Sequence, residues 1–109
     1  MELFRAEIPA GINYAAIELS ASGTAVLGII GKRIVLLSAS IIANAAVNVK
    51  WQTSTGSVDL SGYAYLAQNG GYILPFNAGG WCQTAVSDSL NLNLSSGVAI
   101  GGMISYLLA

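Results

Sequence analysis

The chain has 109 residues and a mass of 11.2 kDa, which is the size of one domain. Hydrophobic residues make up 54% and charged residues 8%, the formal net charge is −1, and there is one Cys and no His; a typical soluble domain is about 25% charged. These counts exclude a Cys/His nucleophile pair, an ordinary zinc site, a disulfide framework within the chain and the basic footprint of a nucleic-acid binder, and a mean hydropathy of +0.65 argues against intrinsic disorder.

High hydropathy raises the question of a membrane. A spanning helix needs about 20 largely apolar residues. The best stretch, 25–49, is interrupted by Lys32 and Arg33 and then by Ser38, Ser40, Asn44 and Asn48. The start of the chain carries Glu2, Arg5 and Glu7 where a signal peptide has a basic start and an apolar run. The expectation is no leader, no span and no membrane partner.

In chain order, the pattern predicts strands at 3–8, 15–19, 25–30, 33–42, 46–53, 58–60, 63–67, 72–75, 82–85, 89–94 and 98–107. The clearest alternate strictly: Val47, Val49 and Trp51 with Asn48, Lys50 and Gln52, and Leu90, Leu92 and Leu94 with Asn91, Asn93 and Ser95. Ile34, Val35, Leu36 and Leu37 form a continuous apolar run, as in a strand covered on both faces. The Ala-rich stretch 38–47 admits a helix, but its β-branched neighbours favour strand. Glycine marks the turns; Asn69-Gly70 reads as the sharpest hairpin turn and Gly31-Lys32-Arg33 as a second hairpin. Turn signals at this spacing predict an all-β, single-domain antiparallel β-sandwich. We divide the chain into an N-terminal arm or first strand at 1–12 and the sandwich at 13–109.

Few residues carry chemistry. Asp59 and Asp88 are the only aspartates and both sit beside turn residues, so capping is the plain reading; a glycosidase would need them facing each other. The acids are too scattered for a calcium loop. Cys82 has no cationic neighbour in sequence and reads as a small buried hydrophobe. Gly79-Gly80 and Gly101-Gly102 lack the Lys-Ser/Thr of a phosphate loop. We therefore expect no catalytic residues, metal or cofactor. Trp51, Tyr63, Tyr65, Tyr72, Phe76 and Trp81 cluster in the middle of the chain, as core, as a protein interface or as a sugar platform, with Tyr63 and Tyr65 on one face of their strand. Lys32-Arg33 is a solvated turn or a contact to an acidic partner. Few surface charges and unguarded sheet edges favour a homo-oligomer or a protein attached to something larger.

One resemblance adds to this reading. The succession GKRIVLLS (31–38), AVNVKW (46–51), LSG (60–62), LAQNGGYILPFN (66–77), GW (80–81), LNLNLS (90–95) and VAIGG (98–102) resembles small virion proteins of tailed bacteriophages and prophages that decorate or cement the head. The likeness is one of strand-and-turn layout and carries no catalytic signature. It implies a jelly-roll-like sandwich on the capsid exterior, bridging neighbouring copies of the major capsid protein, with a trimer the favoured oligomer. Candidate interface residues are Leu3, Phe4 and Arg5 in the arm and Tyr72, Phe76 and Trp81 in the 72–81 segment. Phage β-sandwich modules of tails and fibres share the look, so a carbohydrate- or receptor-binding module is the alternative.

Overall fold

Alternation along the chain becomes inside and outside. Val47, Val49, Trp51 and Thr53 are buried, whereas Asn48, Lys50 and Gln52 between them are half-buried on the opposite face. Leu90, Leu92 and Leu94 repeat the pattern against Asn91 and Asn93. A computed structural model describes residues 11–53 and 58–109; the expected strand at 3–8, and with it Leu3, Phe4 and Arg5, lies outside them. Nine strands and no helix occur among the described residues: β1 (Ile12–Leu19), β2 (Gly23–Val26), β3 (Ile34–Ala43), β4 (Val47–Thr53), β5 (Ala64–Leu66), β6 (Gly71–Leu74), β7 (Cys82–Gln83), β8 (Leu90–Leu94) and β9 (Ile100–Leu108).

The pairing is that of a folded double ribbon. Strand β1 pairs with β9, β2 with β8, β3 with β6 and β7, and β4 with β5, each antiparallel. The ribbon then rolls so that β9 also meets β3 and β8 also meets β4. Two sheets result: a five-stranded one in the order β1-β9-β3-β6 with β7 beside β6 on β3, and a four-stranded one in the order β2-β8-β4-β5. This is the strand order of a jelly roll, an antiparallel sandwich of two Greek keys. Its core holds Ile34, Leu36, Ile41, Val49, Trp51, Leu90, Leu92, Ile100 and Ile104, all nearly inaccessible to solvent. Fully burying an aliphatic side chain of this size is worth about 1.5–3 kcal/mol.

The structure corrects the sequence reading in its turns. Asn69-Gly70 is a tight turn, with Gly70 N donating to Ala67 O at 2.8 Å and Asn69 at φ 60°, but it does not close a hairpin. Strand β5 before it and β6 after it lie in different sheets, so the turn crosses the sandwich. Gly31 likewise links β2 to β3 across the two sheets. The strand expected over 25–30 stops at Val26. Beyond it, Gly28 N and Gly31 N donate to the hydroxyls of Ser89 and Ser87, both at 2.8 Å. Side chains of the 86–89 turn thus take the donors a ladder would use. The expected strand at 58–60 reduces to a bridge between Asp59 and Gln52. The stretch 38–47 is strand through Ala43, its small residues admitting the close approach of β9 to β3.

That approach needs glycine at one position. A Cβ on Gly102, whose φ is 150°, would collide with the carbonyl of Ser40. On Gly101 beside it, a Cβ would meet nothing within 4 Å.

Candidate functional site

The two aspartates have separate duties. Asp59 is exposed on the outer side of the four-stranded sheet, where its carboxylate accepts from Lys50 Nζ at 3.1 Å and Gln52 Nε2 at 2.7 Å. The Gln52 carboxamide, and then Lys50, hold its pKa below the ordinary value. It is an ion-pair partner and not the turn cap that its neighbours in sequence imply. Asp88 is buried; its Oδ1 accepts from Ser89 N at 2.9 Å, which fits the expected cap. Cys82 is half-buried, and burial pushes its thiol up to about 11, away from the nucleophilic thiolate. Among the described residues no three His, Cys, Asp or Glu cluster as metal ligands. No helix among them is long and apolar enough to cross a membrane.

The middle-chain aromatics divide. Trp51 is core, 1% exposed. Tyr72 is half-buried against the core, and burial raises its phenol pKa. The Trp51 indole lies near enough to oppose that rise, but its N–H makes no hydrogen bond of good geometry. Phe76 and Trp81 are exposed on the loop that separates β6 from β7. The loop is pinned to the irregularity in β3 between Leu36 and Ser38: Asn77 N donates to Leu37 O at 2.9 Å and Trp81 N to Leu36 O at 2.8 Å. The Trp81 indole N–H closes it by donating to Pro75 O at 2.7 Å. Arg33 spends a guanidinium N–H on Thr84 O at 3.3 Å, leaving Lys32 exposed in its turn.

The outer face of the five-stranded sheet is nearly free of charge. Register places Ala16, Met103, Ser40 and Ile73 in one row across it. A second row is Glu18, Gly101, Ile42 and Gly71, and a third is Tyr14, Ser105 and Ser38. Tyr14, Ile42, Ile73 and Met103 are all more than half exposed. An open groove of about 520 Å³ runs beside Gly101 and Gly102, lined by Glu18, Ser40, Ile42, Asn44 and Asn69.

The outer face of the four-stranded sheet is built differently. Asn48, Lys50 and Gln52 on β4 stand beside Asn91 and Asn93 on β8 and Tyr65 on β5. Lys50 Nζ lies 4.5 Å from the ring centroid of Tyr63, whose hydroxyl and Asn93 Oδ1 are 3.2 Å apart. Sequence reasoning paired Tyr63 with Tyr65 but missed the link from Asn93 through Tyr63, Lys50 and Asp59 to Gln52. Alternation marked each strand; only cross-strand register joins them.

Compared with models of known protein families, with curated proteins and with solved structures, the chain matches none.

Proposed function

We propose that this chain is a non-enzymatic structural protein that packs against a larger protein assembly through the outer face of its five-stranded sheet. Together with the resemblance in strand-and-turn layout, this supports reading it as a decoration or cement protein of a tailed-bacteriophage capsid, bridging major capsid proteins from the outside. The observation that carries the reading is the face spanning Tyr14, Met103, Ile42 and Ile73, whose described strand positions include one charge, Glu18. Large exposed apolar patches on small proteins mark contact sites, and binding that selects the assembled shell stabilises it by linkage. The pinned 75–81 loop, with Phe76 and Trp81 outward, supplies rigid aromatic anchors beside that sheet.

The test is recovery from particles. The chain should co-purify with gradient-banded virions of the strain that encodes it, and antibody should label their heads in electron micrographs. Ile73→Lys with Met103→Lys should abolish incorporation while the isolated protein keeps its circular dichroism. Absence from the particles, or incorporation unaffected by the double substitution, refutes the proposal.

A further inference from the structure

The four-stranded sheet presents a surface that packing against a shell does not use. From its chemistry we propose that this face binds a neutral glycan, with Tyr65 stacking on a sugar ring and the surrounding carboxamides bonding its hydroxyls.

Three observations converge. The first is functional-group type. Of the positions Asn48, Lys50 and Gln52 on β4 and Asn91 and Asn93 on β8, all but Lys50 are carboxamides, and all of these but Asn91, whose Oδ1 is buried, are offered to a ligand. A carboxamide both donates and accepts, and so does a sugar hydroxyl. Most protein surfaces solvate such positions with Lys and Glu, which do only one of the two.

The second is charge. Lys50 is neutralised by Asp59 at 3.1 Å, and Gln52 holds the other carboxylate oxygen. Among the described residues the face therefore has no free cation to attract phosphate or nucleic acid. On β5 the strongly exposed hydrophobe is Tyr65.

The third is preorganisation. Tyr63 is held by the Lys50 ammonium against its ring and by the hydrogen bond to Asn93, and this fixes the entry to β5. Tyr65 then stands 78% exposed, and its hydroxyl has no partner among the described residues. Register sets it opposite Asn48, whose carboxamide is also without a partner among them. Directly opposed residues have Cβ atoms about 4.5–5.5 Å apart, so a ring stacked on Tyr65 has the Asn48 carboxamide at its rim. Tyrosine supplies this area at low entropic cost, having two side-chain torsions.

The proposal goes beyond the structural role above and stands or falls separately from it. The test is affinity electrophoresis of the full chain through gels containing dextran, a β-glucan, a galactomannan or glycol chitin, with heparin as the charged control. At least one neutral polymer should retard the wild type. Tyr65→Ala should weaken that retardation at least tenfold, and Asn48→Asp should weaken it also, while Tyr14→Ala on the other sheet leaves it intact. Because Tyr65 is exposed, its loss should leave the melting temperature unchanged, which separates lost binding from lost fold. In amide spectra the side-chain NH2 signals of Asn48 and Asn93 should move with the retarding sugar. Retardation by none of the neutral polymers, retardation by heparin alone, or a Tyr65→Ala variant that binds as the wild type does would each overturn the assignment.

Discussion

Gly101 and Gly102 are adjacent in β9, yet alanine at the two positions should act in opposite directions. At Gly102 the new Cβ drives into the Ser40 carbonyl, between the two central strands of the five-stranded sheet, at a φ of 150° that L side chains rarely adopt. An unfavourable backbone conformation costs about 1–3 kcal/mol, and overpacking a tight site costs about 1–3 kcal/mol more. Gly102→Ala should therefore lose about 2–6 kcal/mol, a large part of the ~5–15 kcal/mol that holds a domain together. For a domain near 100 residues this is a fall in melting temperature of about 10–30 °C. Gly101 has open space where its Cβ would go. Gly101→Ala should leave stability unchanged or raise it by about 0.4–1 kcal/mol, through the narrower unfolded ensemble. Thermal unfolding by circular dichroism, with urea titration read on the buried Trp51, measures both. A Gly102→Ala protein melting within about 3 °C of the wild type, or an equal loss in both variants, would refute the close-approach argument.

Other expectations follow from single contacts. Asp59 titrates below its ordinary 3.8, so its contribution is full above that value and fades as pH falls through the lowered one; Gln52→Ala should shift its carboxyl titration upward in NMR, and an unmoved midpoint would contradict the assigned cause. With its thiol pushed up to about 11 against an ordinary 9.0, Cys82 should react with iodoacetamide at pH 8 about 100-fold more slowly than in the urea-unfolded chain, on thiolate fraction alone; equal rates would show the thiol to be accessible and ionised. Leu92, fully buried between β2 and β4, should cost about 2–5 kcal/mol when cut to alanine, with the urea midpoint falling at constant slope; a smaller loss would mean the core collapses around the gap.

The strands were legible because alternation is local. The period of two in 47–53 and 90–94 announces strand and buried face together, and both are borne out. What was not legible depends on partners distant in sequence. Asn69-Gly70 has the composition of a hairpin turn, and nothing within ten residues reveals that β5 and β6 belong to different sheets. Leu27, Ile29 and Ile30 look like strand, but serine hydroxyls some 60 residues away capture the backbone donors there. The Lys50–Asp59 pair, only nine residues apart, was hidden for another reason: Asp59 sits beside a turn in sequence, and only the bridge to Gln52 turns it toward Lys50.

The position of β9 has a kinetic consequence. It occupies the interior of the five-stranded sheet, between β1 and β3, although it follows every other strand in the chain. Ile12 finds Leu107 and Ile34 finds Leu108 only after most of the chain has been made. Folds dominated by such distant pairings reach their native state in milliseconds to seconds, slowly for their size. During synthesis, β1 and the edge of β3 that faces away from β6 must wait unpaired, a condition under which chains associate wrongly. Production of the protein should therefore be limited by the interval before residues 100–108 emerge, and slower translation of the upstream strands should lower its soluble yield.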